Sequence, residues 1–99
     1  MYKTYYRAVT FLKQHVGCHY PVQVRRVKLK CLDGVCLFKN NAFVIKINRE
    51  LTPEHAIDVL LHEYAHTVSW KKEDDDHGPL WGVAYSNIYR LFLEKFINK

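Results

Sequence analysis

The 99-residue sequence predicts an α+β domain with the element order α-βββ-α-α, and three patterns carry that expectation. Apolar residues recur at helical spacing over residues 4–16. They alternate with polar residues from Pro21 to Asn48, with turn signals between the runs. From Thr52 onward they return to helical spacing, in two stretches separated by a polar loop.

The first helix lines up Tyr5, Ala8, Val9, Leu12 and Val16 on one stripe and ends at Gly17. Pro21 then opens an alternating run, Val22, Val24, Val27 and Leu29, which reads as a strand. Asp33-Gly34 is a strong hairpin signal leading into a strand at 35–39. Asn40-Asn41 is a second tight-turn candidate, followed by a third strand, Ala42 to Asn48 (AFVIKIN). The expected sheet is therefore a three-stranded antiparallel meander. Thr52-Pro53-Glu54 announces the second helix: Thr52 can cap it, Pro53 suits its first position, and Glu54 complements the positive end of the dipole. Its buried side is Ile57, Leu60, Leu61, Tyr64, Ala65 and Val68, and it should run to about Trp70. A polar, mostly acidic loop from Lys71 to His77 follows. Gly78-Pro79 starts a last helix to about Ile97, with a stripe of Trp81, Ala84, Tyr85, Ile88, Leu91, Phe92 and Lys95 or Phe96.

Ninety-nine residues suffice for one hydrophobic core, so the chain reads as a single domain over 1–99. At 48% hydrophobic and 25% charged residues, its composition is that of a globular protein rather than a disordered tail. No segment approaches the roughly 20 apolar residues of a membrane span, and the N-terminus lacks the continuous apolar stretch of a signal peptide. The three cysteines, Cys18, Cys31 and Cys36, have no CxxC spacing, which fits free thiols in a reducing cytoplasm better than a disulfide framework or a zinc ribbon. A net charge of +5 permits contact with DNA or another polyanion, and the densest basic stretch runs from Arg25 to Lys30. The same alternation is also what a half-solvated strand looks like.

The chemistry gathers on the second helix, at His62-Glu63-Tyr64-Ala65-His66. Two histidines four residues apart stand one above the other on a helix, so both imidazoles can reach one ion. Glu63 is rotated by about 100° from His62, out of the ligand pair but beside the ion's open position. There it can accept the proton of a zinc-bound water and pass it to a leaving amine. This division of labour marks hydrolysis rather than structural zinc.

Catalytic zinc takes three protein ligands and a water, so a third is needed. The metzincin continuation would require Gly at 69 and His at 72, where this chain has Ser69 and Lys72. A gluzincin would use a glutamate on the following helix, and Glu94 lies late in that helix. His77, eleven residues after His66 at the mouth of the last helix, is the stronger candidate. Glu73, Asp74, Asp75 and Asp76 compete as oxygen ligands. Tyr85, His55, His19 and Tyr89 are candidates to stabilise the charge that develops on an attacked carbonyl oxygen. Tyr85, two turns after His77, can face the site but reads equally as a core tyrosine of the last helix, so the role is left unassigned.

These residues resemble the SprT-like metallopeptidases, the family that includes Spartan: HExxH, a short polar loop, then His77-Gly78-Pro79-Leu80-Trp81 in place of its His-Gly-x-x-aromatic element. The likeness covers about residues 20–92. It implies a zincin-like fold, His62, His66 and His77 as zinc ligands, Glu63 as general base and acid, and a protein or peptide substrate. It further implies a substrate lying extended along an edge strand, which would be Ala42–Asn48. The chain departs from many family members in lacking a zinc ribbon, so their DNA-linked activity does not carry over with the motif. A zinc-stabilised peptide- or DNA-binding module without turnover is the alternative, and an amidase on the same metal scaffold is a third reading.

Overall fold

The computed structural model describes residues 3–71 and 77–96. Three helices and three strands follow one another as α1 (Lys3–His15), β1 (Val22–Val27), β2 (Gly34–Lys39), β3 (Ala42–Asn48), α2 (Pro53–Ser69) and α3 (Pro79–Phe96). The α+β class and the element order are as the sequence predicts, while Glu73 to Asp76 and Ile97 lie outside the described residues. Among the described residues no helix is long and apolar enough to cross a membrane.

The sheet departs from a meander. Its strand order is β1-β3-β2, with β2 antiparallel to β3 and β1 parallel to it. Of the two turn signals only Asn40-Asn41 makes the hairpin. Both residues have positive φ, 55° and 59°, the backbone of a type I′ turn whose twist matches the flanking strands. Asp33-Gly34 instead ends a connection that crosses the end of β3. Asn48 fastens that connection: its amide nitrogen donates to the carbonyls of Leu29 and Leu32, both at 3.1 Å, and its backbone N–H to Asp33 at 2.8 Å. Arg49 N–H bonds the Val27 carbonyl at 2.8 Å, so the strand ends at Val27 and Leu29 belongs to the connection.

This order makes Ala42–Asn48 the central strand, hydrogen-bonded on both sides. It cannot be the edge along which a peptide lies, and the edge strand packed beside α2 is β2. Gly34 serves the close approach of β2 to α2. A Cβ there would stand 2.5 Å from Val59 Cγ1 and 3.3 Å from Glu63 Cγ, well inside the roughly 3.5–4.0 Å of ordinary carbon contact.

The core forms where Phe43, Ile45 and Ile47 of β3 meet α2, with Tyr5, Ala8 and Leu12 of α1 and Ala84, Ile88 and Phe92 of α3 closing around it. Thr52 caps α2 as the sequence predicts, its hydroxyl accepting from the His55 N–H at 3.3 Å. α2 is buried more widely than an amphipathic stripe implies, because Ala56, Glu63, Thr67 and Ser69 are buried too. The hydroxyls of Thr67 and Ser69 donate to Tyr64 and Ala65 carbonyls one turn back, so burying them leaves no orphaned donor. Glu63 is the charged residue on that buried side, and its presence needs a functional reason.

Candidate metal centre

His62 and His66 project from one face of α2, their ring centroids 5.5 Å apart. His77 stands just before α3, whose first turn closes with Gly82 N–H bonding the Gly78 carbonyl at 3.0 Å. That start brings the His77 ring to centroid distances of 5.2 Å from His62 and 4.9 Å from His66. One ligand atom from each of the three histidines lies within 4.8 Å of the others, the arrangement that can hold a metal ion. Glu94, the rival ligand read from the sequence, is exposed near the far end of α3 and does not join this group.

The donor set fits a single ion. Nε2 of His62 and Nε2 of His77 are 3.3 Å apart. Two nitrogens each about 2.0–2.1 Å from a tetrahedral zinc would be separated by about 3.3–3.4 Å. Ligation also needs neutral imidazoles. Burial holds His62 below its usual pKa, the neighbouring His77 adds to that, and the Asp58 carboxylate opposes it. His62 is thus kept available as a neutral donor.

Trp81 organises the three rings. Its indole Nε1–H donates to the His62 backbone carbonyl at 3.3 Å. Its ring stacks on His66, at 5.6 Å and 29°, and meets His62 and His77 edge-on at 4.8 Å each. Tyr85, one turn further along α3, stacks on Trp81 at 5.1 Å and 23°. Its hydroxyl donates to Asp58 Oδ1 at 3.3 Å. The tryptophan read as a core residue of the last helix is therefore also the plate against which the histidines are set.

Beside the histidines opens a cleft of about 230 Å³ lined by Asp33, Gly34, Asp58, Val59, His62, Glu63 and Tyr85. Larger hollows of about 460 and 570 Å³ lie elsewhere, along α1 and the other helices, and contain none of these histidines. In the cleft, Glu63 Oε2 is 4.0 Å from His62 Nε2, and the residue is only 9% exposed. Burial pushes its carboxyl up to about 7, into the range where one group can both take and give a proton at neutral pH.

Sequence reasoning missed two groups here. Asp58 stands one turn before His62 on the same helix, a spacing that could have flagged it. Gly34 could not have been placed by its neighbours, since Asp-Gly carries the same signature at a hairpin.

Comparison with known proteins gives one finding. The SprT-like family model matches residues 2–96, nearly the whole chain. No curated protein matches the chain. No solved structure matches it either.

Proposed function

The chain belongs to the SprT-like family, and from that premise we propose that it is a zinc metallopeptidase hydrolysing peptide bonds. The observation that carries the reading is one buried carboxylate, tuned to about 7, beside three convergent imidazoles. A site that only held metal for stability would have no use for it.

His62, His66 and His77 would hold the ion, and imidazole donors favour zinc over calcium or magnesium. When bound, the ion supplies Lewis-acid chemistry, polarising a carbonyl and acidifying a water. Glu63 takes the proton of the attacking water as its oxygen bonds to the peptide carbon. The same carboxyl then gives that proton to the amine nitrogen as the C–N bond breaks. Burial raises the proton affinity of this carboxylate above that of a free glutamate, which suits it to take the proton and hold it for the leaving amine. Trp81 and Tyr85 wall the site with rings and fix the ligand face of α2. Gly34–Lys39 is an edge strand beside Glu63, which supports a substrate laid along it through backbone hydrogen bonds.

Purified protein should carry about one zinc per chain and cleave an unfolded protein. Chelation should stop cleavage and zinc should restore it. Glu63→Gln should keep the metal while kcat falls by about 10²–10⁴-fold. A Glu63→Gln protein that cleaves like its parent would sink the mechanism.

A further inference from the structure

Attack on a peptide carbonyl leaves negative charge on its oxygen, and the attack is fast only if hydrogen-bond donors already face that oxygen. The lining of the cleft restricts which side chain can do this. Asp33, Asp58 and Glu63 are carboxylic acids that repel an oxyanion when ionised. Gly34 and Val59 bring no polar side-chain hydrogen, and His62 turns its Nε2 toward His77. Among these lining residues that leaves the Tyr85 hydroxyl as the neutral side-chain donor.

We infer that Tyr85 is a second catalytic residue, donating a hydrogen bond from its hydroxyl to the carbonyl oxygen of the peptide under attack; this rests on the peptidase reading above. Glu63 belongs to α2, against the end of β2, and Tyr85 reaches the cleft from α3. A peptide seated in the cleft lies against both the proton-transfer group and the donor, since both line it. The tyrosine ring is set by the same plate as the ligands, stacking on Trp81 at 5.1 Å and standing 5.9 Å from His62 at 68°. The hydroxyl's bond to Asp58, at 3.3 Å, is longer than the roughly 2.5–3.0 Å of a good O–H···O bond. Exchanging that bond for one to a substrate oxygen therefore costs little.

The other three candidates read from the sequence do not line this cleft. His55 stands behind its wall, its Nε2 engaged by the Asp33 carboxylate at 3.5 Å. His19 lines a hollow with Cys18 and Tyr20, and Tyr89 lines the groove with Thr4 and Phe92.

Tyr85→Phe tests the assignment, because it keeps the ring and its stack and removes only the hydroxyl. In the zinc-loaded full chain, kcat should fall by about 10²-fold, with KM moving by less than about threefold. A phosphinic peptide, which mimics the tetrahedral species, should bind Tyr85→Phe more weakly by the factor that kcat/KM loses. Zinc content and Tm should match the parent. An active parent with an equally active Tyr85→Phe overturns the assignment alone. A variant that loses zinc or melts early shows a structural tyrosine and overturns it too. A zinc-loaded parent that cleaves no protein overturns the peptidase reading, and this assignment with it.

Discussion

Adding one methyl group at Gly34 tests how far the site depends on the contact between β2 and α2. The new Cβ would stand 2.5 Å from Val59 Cγ1, 3.2 Å from the Lys46 carbonyl oxygen and 3.3 Å from Glu63 Cγ. Carbon atoms rest about 3.5–4.0 Å apart, so Val59 has to retreat by about 1 Å. It cannot turn away cheaply, because a β-branched side chain on a helix has one strongly preferred rotamer. Nor can the Lys46 oxygen move, being backbone of the central strand. Relief comes from α2 lifting off β2 between Val59 and Glu63. The Gly34 backbone is not in the left-handed region, so alanine is sterically allowed by its own φ. Overpacking costs roughly 1–3 kcal/mol, and the lost unfolded-state freedom of glycine returns about 0.4–1 kcal/mol. The net, about 1–2 kcal/mol, should lower Tm by roughly 5–15 °C. Activity should suffer more, because displacing a reacting group by about 1 Å can cost about 10²-fold. Thermal melts and kcat on zinc-loaded Gly34→Ala check both figures. Val59→Ala in the same chain makes room for the methyl and should restore much of each. A Gly34→Ala protein with parental Tm and kcat would refute the idea that this contact seats Glu63.

Two further outcomes follow from the fold. Asn48→Ala removes side-chain hydrogen bonds to Leu29, Leu32 and the Glu50 N–H, each 3.1 Å long. At about 2 kcal/mol for the set, Tm should drop by roughly 8–16 °C, and a fall below about 4 °C would show that the connection is held by other means. Burial, with the charges of Glu63 and Cys18, pushes the Cys36 thiol up to about 12 from 9.0, while burial takes Tyr5 and Tyr64 up to about 12 from 10.0. These groups ionise more readily in the unfolded chain, so the stability they contribute is complete below pH 9.0 and drains as pH rises toward 12. Tm measured from pH 8 to 11 should be flat and then fall, with Cys36→Ala delaying the onset toward 10.0, the tyrosine value. A flat Tm to pH 11 would contradict this.

The helices were legible in the sequence because their signals are local. Thr52-Pro53-Glu54 and the 3.6-residue apolar spacing act within a few residues of themselves. The metal group was legible for the same reason. Two of its members share one helix, and the third follows after a loop at the mouth of the next. The sheet order was not, since strand patterns report which residues are half-buried and not which strand lies alongside. Asp33-Gly34 is the stronger hairpin signal of the two, yet Asn40-Asn41 makes the hairpin while Gly34 serves the approach of α2. Reading Ala42–Asn48 as an edge came from the same blindness, because β1 and β2 both need its backbone. Tyr85 was already a candidate by its place on the last helix, but Asp33 and Asp58, which line the cleft with it, come from parts of the chain far apart, and their nearness to it was not legible.

The place of β3 between its two predecessors also fixes an order of assembly. As the chain leaves a ribosome, β1 and β2 emerge without a partner, since neither pairs with the other. Only with Ala42–Asn48 can β2 zip across the two-residue turn, a local event on a scale of about 1–10 μs. β1 must instead close a loop reaching from Val22 to Phe43, at a higher cost in chain entropy than the two-residue turn. The last strand made is the template for both others. A ribosome stalled before it would display two unpaired strands, an open invitation to association with neighbouring chains.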